Sequence, residues 1–336
     1  MLRLLSTNNP TFSFLLCIII VVVFRLPFIY FDIDLSLWEH NLAPLSQFFV
    51  QVVGLELLSN KIFNLSISGF LALFQALILA NVFNRKSFFG KETYLLPWVF
   101  ILLIHCIPFF VVFSPAMVAS TLGIAVFGWL LSLDKKRNLI KFIFNISLVV
   151  CLSFLIWYPS VALFFFLILV LFLKNVFSFR ALLALIIAVF IPFIYMLFYF
   201  FMTDNFPDGL PVLFATFDFN NFAVRSPLTN NMIAVTVMVF LLGIISFLST
   251  QQYAKNTIQE VRTQIVLLNL FLLAIALGFW FQTINEAASF IVLIFPLAVY
   301  LTTFIHRQKN KKIAEVTHLA VLLSSIAFFT LLILEI

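Results

Sequence analysis

Residues 12–31 read FSFLLCIIIVVVFRLPFIYF, with Arg25 as the single charged side chain. At 1.5 Å per residue, a helix of this length crosses the ~30 Å hydrocarbon core of a bilayer. Similar apolar stretches recur along the whole chain, which is 64% apolar, 18% aromatic and only 10% charged. A soluble domain is about 25% charged. Composition therefore indicates a membrane protein and excludes an ordinary soluble domain.

The apolar stretches predict an all-α fold, a polytopic transmembrane helix bundle of about 11 spans. We interpret residues 1–336 as a single integral membrane domain. The predicted spans lie near residues 12–31, 63–83, 94–113, 115–133, 140–156, 159–173, 180–202, 230–249, 263–281, 286–305 and 315–335. Merging or splitting spans around Pro115 or Pro159 would change this count.

Basic residues are distributed unevenly between the two sides that these spans define. With the N-terminus inside, sixteen of the 19 Lys and Arg residues fall in inner segments, and the exceptions are Arg25, Lys61 and Arg225. Because short cytoplasmic loops retain Lys and Arg, this pattern predicts a cytoplasmic N-terminus and a periplasmic C-terminus. Positive charge placed in this way faces anionic lipid headgroups, so the net charge of +6 does not indicate a nucleic-acid partner.

Two predicted outer segments are long, residues 32–62 and residues 203–229. After Pro44, the first segment has an approximately helical pattern of apolar and polar residues that is too short and too polar to span a membrane. We predict an amphipathic helix lying in the outer interface. A surface connector with no ligand is the alternative interpretation.

The first outer segment holds four candidate catalytic residues, Asp32, Asp34, Glu39 and His40. In an extended chain, Asp32 and Asp34 point to the same side, where a carboxylate pair can hold a divalent cation together with a phosphate. Either aspartate could instead act as a general base, and His40 can transfer protons at neutral pH. Solvated loop charges without a catalytic role are the alternative.

Arg25 is the one basic residue inside a predicted span, about six residues, or ~9 Å, from the outer end of its helix. It can snorkel to the interface or pair with Asp32. A guanidinium also binds phosphate through two parallel hydrogen bonds, so an anionic lipid group is a second interpretation. Glu286, at the outer start of the tenth span, either completes a cavity with Arg25 or is a helix-start carboxylate stabilised by the helix dipole.

The second outer segment combines Asp218 and Arg225 with several Asn side chains and aromatic rings. Aromatic faces beside amide and carboxylate groups suit a carbohydrate ring, although interfacial loops in general have the same composition. Asp218 and Arg225 are therefore candidate ligand-binding residues.

Other polar or reactive side chains inside the spans do not predict a site. Interhelical hydrogen bonds are a sufficient explanation for single polar residues, namely Gln75, His105, Asn145 and Asn269. The three cysteines form no CxxC pair and no zinc-binding spacing, so we interpret them as small hydrophobic residues.

Six apolar motifs stand out in about the first two-thirds of the chain: RLPF (25–28), LAPLSQFFVQ (42–51), FLALFQALILANVFNR (70–85), TYLLPWVF (93–100), FSPAM (113–117) and WYPSVALFFFLILVL (157–171). With these motifs the chain resembles an uncharacterised family of multi-spanning inner-membrane proteins from Bacteroidota. More distantly, a first helix, an acidic outer loop, an interfacial helix and many further spans are similar to the GT-C class of glycosyltransferases.

The GT-C resemblance implies an enzyme that uses polyprenyl-phosphate sugars at the outer face of the membrane. Asp32 or Asp34 would then take the role of the essential aspartate, and Arg25 or Arg225 would lie near the lipid phosphate. The first outer loop is compressed relative to that class, and neither aspartate aligns unambiguously with its pattern.

The leading functional hypothesis is a bacterial inner-membrane protein that acts on a lipid-linked sugar or another envelope precursor at the outer leaflet. Its partners would be membrane lipids and a polyprenyl-phosphate-linked substrate, with a divalent cation as candidate cofactor. A secondary transporter or flippase, with Arg25 and Glu286 lining a path, is the first alternative. A non-catalytic component of an envelope assembly is the second. The sequence contains no Walker A motif, which excludes ATP-driven transport by this sequence alone.

Overall fold

The computed structural model describes residues 10–30, 38, 42–90, 92–133, 138–202, 230–279, 287–308 and 311–334, and these residues contain helices and no strands. In chain order the α-helices are α1 Pro10–Tyr30, α2 Pro44–Val53, α3 Leu55–Ser59, α4 Lys61–Arg85, α5 Leu95–Ile104, α6 Pro115–Leu131, α7 Leu139–Ile156, α8 Ala162–Leu173, α9 Phe179–Met202, α10 Asn230–Lys255, α11 Gln259–Gly278, α12 Ile294–Arg307 and α13 Lys311–Leu334. Shorter 3₁₀ helices cover Pro108–Phe110, Tyr158–Val161 and Ala287–Leu293. The predicted all-α class is confirmed.

Within the described residues, seven helical stretches are long and apolar enough to cross a membrane. They are Thr11–Ile29, Lys61–Arg85, Leu139–Ile156, Phe179–Met202, Val237–Lys255, Gln259–Gly278 and Ala288–Arg307. Each falls on a span predicted from the sequence. The third, fourth and sixth predicted spans correspond instead to shorter apolar helices of 10–17 residues.

The third predicted span, residues 94–113, is not one continuous helix. α5 ends at Ile104 after 10 residues, which is about 15 Å or half of a hydrocarbon core. The chain then passes through a turn at His105 into the 3₁₀ helix Pro108–Phe110. Pro108 has no N–H to donate, and its ring would clash with the Ile104 carbonyl if the α-helix continued.

The core of the bundle is built largely from phenylalanine rings. The ring of Phe127 on α6 lies 5.0 Å from that of Phe295 on α12 and 5.5 Å from that of Phe271 on α11, measured between centroids. Phe83 on α4 and Phe166 on α8 stack against the same ring. We call these five buried residues the ring cluster. It joins five helices through edge-to-face and stacked contacts, which aromatic rings prefer.

The two ends of the bundle are held together by different contacts. At one end, which we call the basic end, Lys174 Nζ donates to the Leu133 carbonyl at 2.7 Å, and Arg307 Nη2 donates to the Tyr253 hydroxyl. At the other end, the α2 end, Ser46 on α2 donates to the Ile156 carbonyl of α7 at 2.8 Å. A helix, α2, does follow Pro44 and lies at the end opposite the basic end, while its place in the outer membrane interface stays a prediction.

Candidate functional site: a buried arginine beside an interrupted helix

Arg25 lies inside the bundle. Its side chain is only 5% exposed, and Nη1 donates to the Leu65 carbonyl of α4 at 2.9 Å. The guanidinium is therefore turned toward α4 and does not snorkel to the surface of the bundle. A charged side chain within an apolar span is costly and usually marks a functional site.

Gly69 provides the space that the guanidinium occupies. In an α-helix the Leu65 carbonyl accepts a hydrogen bond from the residue four positions later, which is Gly69. A Cβ atom at Gly69 would collide with Arg25 Nη1 and would lie 3.3 Å from a Val21 methyl group. The absence of a side chain at Gly69 thus exposes the carbonyl to Arg25, which explains why α1 and α4 approach closely at this level.

Two nitrogen atoms of Arg25, Nε and Nη2, are buried, and no residue that the structure describes accepts a hydrogen bond from them. Leaving a buried polar group unpaired costs about 1–3 kcal/mol, and more for a charged group. Most buried polar groups in proteins are paired, so two open donors on one buried guanidinium make Arg25 a candidate binding residue. The free donors are what a phosphate or carboxylate would require.

His105 is the second polar residue of this centre. It follows the last residue of α5, and Nδ1 lies 2.7 Å from the Ile101 carbonyl, while Nε2 is buried without a partner. Since a carbonyl can only accept, we assign the proton of the neutral imidazole to Nδ1, which leaves Nε2 as an acceptor. Arg25 and His105 interact electrostatically. We call Arg25, His105 and the Leu65 carbonyl the Arg25 centre.

The position of His105 corrects one expectation from the sequence. His105 bonds to a carbonyl of its own helix, so an interhelical hydrogen bond does not explain it. Gln75 and Asn269 do match that explanation, since Gln75 Nε2 donates to Thr121 on α6 at 2.7 Å and Asn269 Oδ1 accepts from Tyr300 on α12 at 2.7 Å. The signal for His105 in the sequence is the nearby Pro108, which ends the helix.

The irregular backbone after His105 receives its hydrogen bonds from α4. Ser68 Oγ donates to the Val111 carbonyl at 2.6 Å, and Asn64 Oδ1 accepts from the Phe113 amide at 2.8 Å. Non-helical backbone at membrane depth is tolerated only when it is buried in protein or lines a cavity. Asn64 and Ser68 therefore allow the chain to leave the helical state within the bundle.

A second interrupted element lies against this segment. The 3₁₀ helix Ala287–Leu293 is 7 residues long, although 3₁₀ runs above three to four residues are uncommon. It precedes α12, contacts the 3₁₀ helix Pro108–Phe110, and packs on α6. Two short apolar helices, α5 and α12, thus each adjoin 3₁₀ structure, and the two 3₁₀ helices touch.

An apolar cavity of about 500 Å³ lies at the α2 end. It is lined by Trp38, Leu45, Ser46, Phe48, Phe49, Ile67, Phe70, Leu71, Phe113, Val118 and Ile156. Trp38 is buried, and its indole Nε1 donates to the Phe113 carbonyl at 2.8 Å. Its ring centroid is 5.3 Å from that of Phe49 on α2. We call this space the Trp38 cavity, and its walls suit a hydrocarbon chain.

The Arg25 centre and the Trp38 cavity are linked through residues 111–113. Leu65, whose carbonyl accepts from Arg25, packs with Phe28 and Val111. Two residues further along the chain, Phe113 forms part of the cavity wall. The described lining of the cavity includes no residue of the Arg25 centre, so this segment lies between the charged centre and the apolar cavity.

Of the eight candidate site residues named from the sequence, Arg25 alone is described by the structure. Asp32, Asp34, Glu39, His40, Asp218, Arg225 and Glu286 lie outside the described residues, so their convergence on Arg25 stays a prediction. Sequence reasoning did not identify Gly69, His105 or Trp38 as site residues. Within the described part of the chain, no group of three or more His, Cys, Asp or Glu residues could hold a metal ion.

Comparisons with known proteins returned no relative. No family model, no curated protein and no solved structure matches this chain.

Proposed function

We propose that this protein spans the bacterial inner membrane about 11 times, with a cytoplasmic N-terminus, and binds a lipid-linked envelope precursor at the outer leaflet. The orientation is supported by Lys86, Lys174 and Arg307 at the basic end, because short cytoplasmic loops retain basic residues. The α2 end then faces the periplasm. The Trp38 cavity would open toward the outer leaflet.

The observation that carries this proposal is the pair of buried guanidinium nitrogens of Arg25, Nε and Nη2, from which no described residue accepts a hydrogen bond. The apolar Trp38 cavity at the α2 end is the second observation. Arg25 would bind the phosphate of the ligand through Nε and Nη2, which form a bidentate fork. The cavity would hold the first part of the hydrocarbon chain. A cavity of about 500 Å³ lies within the usual range for ligand pockets, about 300–1,000 Å³.

The reaction that fits this arrangement is transfer of a sugar from a polyprenyl phosphate, as the GT-C resemblance implies. An acceptor hydroxyl attacks the anomeric carbon, and the bond from that carbon to the phosphate oxygen breaks. Asp32 or Asp34 takes the hydroxyl proton, and Arg25 stabilises the negative charge of the departing polyprenyl phosphate. Glu39 and His40 directly follow Trp38 in the sequence and stay candidate catalytic residues.

Binding of a polyprenyl phosphate to the purified full-length protein tests the proposal directly. Native mass spectrometry with a short-chain polyprenyl phosphate should show binding to the unmodified protein and at least tenfold weaker binding to Arg25→Met. Arg25→Lys should bind with intermediate strength, since it keeps the charge and loses the fork. Equal binding by all three proteins would contradict the proposal.

A cellular experiment separates binding from catalysis. Cells that carry the double variant Asp32→Asn with Asp34→Asn should show an altered envelope glycan profile. An unchanged profile, together with retained polyprenyl phosphate binding, would leave a binding protein and reject the enzyme. A non-catalytic component of an envelope assembly would instead co-purify with a fixed protein partner. In that case neither the Arg25 variants nor the Asp32/Asp34 double variant would change the glycan profile.

A transporter or flippase is the second candidate, and the two touching 3₁₀ segments favour it. Secondary transporters build their substrate sites from discontinuous helices near the middle of the membrane. In that case the segments around residues 105–110 and 287–293 would move between two states. Cysteines introduced on both sides of the Arg25 centre test this. In a transporter, the ligand should change cysteine labelling at both faces of the membrane. In an enzyme with a one-sided cavity, the ligand should change labelling at the α2 end only.

A further inference from the structure

A second, polar cavity lies at the basic end, far along the bundle from the α2 end. It has a volume of about 380 Å³. The connection after α4 supplies Lys86, the segment after α6 supplies Leu133, the segment after α8 supplies Lys174, and the first turns of α11 supply Glu260 and Gln264. Four separate parts of the chain therefore converge on one space.

Gln264 indicates that this cavity is built for a ligand. Its side chain is 5% exposed and Nε2 donates to the Lys86 carbonyl at 3.4 Å. That bond fixes the amide so that Oε1 is the remaining acceptor, and Oε1 is buried with no donor among the described residues. A buried carbonyl oxygen costs free energy until a donor reaches it. The missing donor is one that a bound molecule would bring.

The cationic wall of the cavity is held in place by Lys174. Its Nζ donates to the Leu131 carbonyl at 3.2 Å and to the Leu133 carbonyl at 2.7 Å, at the C-terminal end of α6. An ammonium group at this end of a helix is favoured by the helix dipole. Lys86 adds a second ammonium, and Glu260 adds a carboxylate in the first turn of α11. The described wall thus offers two positive groups, one negative group and one free acceptor.

We propose that this cavity binds a phosphate monoester or diester that carries a primary amine, the chemistry of a phosphoethanolamine headgroup. The phosphate would lie against Lys86 and Lys174. The ammonium of the ligand would donate to Gln264 Oε1 and pair with Glu260. Basic pockets between helices on the cytoplasmic side of membrane proteins bind lipid headgroups in this way.

The apolar part of the wall indicates how a lipid would enter. Leu131, Leu173, Val176, Thr263 and Leu267 complete the lining, and all of these except Thr263 are apolar. Leu173 is 52% exposed, so an apolar side chain stands between the cavity and the surface of the bundle. This site uses no residue of the Arg25 centre or the Trp38 cavity and is independent of the proposed function.

Binding of short-chain phospholipids to the delipidated full-length protein tests the assignment. Dihexanoyl-phosphatidylethanolamine should bind at least tenfold more tightly than dihexanoyl-phosphatidylcholine, because the trimethylammonium of choline has no N–H to donate to Oε1. Dihexanoyl-phosphatidylglycerol should bind more weakly as well, because it lacks the positive charge that Glu260 would pair. Equal binding of the three lipids would overturn the proposal.

Variants of the cavity wall locate the binding. Gln264→Leu removes the free acceptor and should weaken phosphatidylethanolamine binding about tenfold. Gln259→Leu is the matched control, since Gln259 is exposed on the same helix and is not part of the lining. Lys86→Gln should weaken all anionic headgroups together. Unchanged binding in both Gln264→Leu and Lys86→Gln would reject this cavity as the site.

A soluble aminoalkyl phosphate is the other source of the same chemistry. Binding of glycerophosphoethanolamine as tightly as the short-chain lipid would identify a soluble metabolite. A requirement for the acyl chains would identify a membrane lipid. Failure of both to bind would overturn the proposal, whatever the result for polyprenyl phosphate at the α2 end.

Discussion

The ring cluster and the Arg25 centre are both buried in the bundle, but they differ in how completely their neighbours meet their needs. The rings are packed against one another, whereas the Arg25 centre keeps polar atoms that no described residue pairs. Around Phe127 lie four other rings, at centroid distances of 5.0–6.4 Å. Around Arg25 one donor is paired, and two guanidinium nitrogens and one imidazole nitrogen are left open. The ring cluster needs nothing beyond the chain itself. The Arg25 centre is complete only when a further polar group arrives, and this distinguishes packing from a site.

The largest effect is expected where packing is complete. Phe127→Ala should destabilise the protein by about 3–5 kcal/mol, because the surrounding rings cannot collapse into the cavity that remains. Unfolding of the purified protein in detergent measures this loss. Phe190→Ala on α9 is the matched control, since Phe190 is 60% exposed and its loss leaves no internal cavity. Equal destabilisation by both variants would show that the ring cluster is no more than a part of the apolar surface.

The polar support of the interrupted helix should give the next largest effect. Asn64→Ala leaves the buried amide of Phe113 without its acceptor, which should cost about 1–3 kcal/mol. Asn145→Ala on α7 serves as the comparison, because Asn145 is exposed and its change should stay within about 0.5 kcal/mol. A neutral Asn64→Ala would mean that residues 111–113 do not depend on α4.

Arg25→Met should have a small effect on stability and a large effect on ligand binding. The substitution removes one hydrogen bond and also removes two unpaired buried donors, and replacement of buried charge by an apolar side chain is often neutral or stabilising. We expect the free energy of unfolding to change by less than about 1 kcal/mol in either direction. A strong loss of stability would instead show that Arg25 is a structural residue, already paired within the protein when no ligand is bound.

The smallest effect on stability is expected for Gly69→Ala. The new Cβ would displace the Arg25 guanidinium from the Leu65 carbonyl, while the better helix propensity of Ala offsets part of the loss, about 1 kcal/mol. Polyprenyl phosphate binding should nevertheless fall, as in Arg25→Met. At Gly123 on α6 a Cβ would make only ordinary contacts, the nearest at 3.5 Å. Gly123→Ala should therefore leave binding unchanged and stabilise the protein by up to about 1 kcal/mol. Identical behaviour of the two glycine variants would separate Gly69 from the Arg25 centre.

The periodicity of apolar residues predicted most of the helices, because a bilayer requires long uninterrupted runs and leaves little freedom in where they begin. The alternation of apolar and polar residues after Pro44 predicted the helix α2, because it follows the period of an α-helix. The same hydropathy gave no sign that the third span ends at Ile104. Residues 94–113 are apolar throughout apart from His105 and the Tyr94 hydroxyl, and hydropathy does not distinguish a helix from a buried turn.

Arg25 shows that the sequence alone also leaves the direction of a side chain open. Its position in an apolar run marked it as unusual, and the sequence left open whether it would snorkel or turn inward. The answer depends on Gly69, which is 44 positions away in the chain and whose missing side chain opens the Leu65 carbonyl. His105 and Trp38 likewise gained their roles from contacts with other helices, which no local pattern records.

By itself, the sequence determined that the chain is a membrane protein built from helices, because only a bilayer accepts so much apolar surface and only helices satisfy their backbone there without partners. It also marked one end of the bundle as basic. The tertiary structure decided which polar groups are left open, since a hydrogen bond is made or missed according to distances between helices that are remote in the chain. That is why the Arg25 centre, the Trp38 cavity and the pocket around Gln264 became visible only when the helices were packed together.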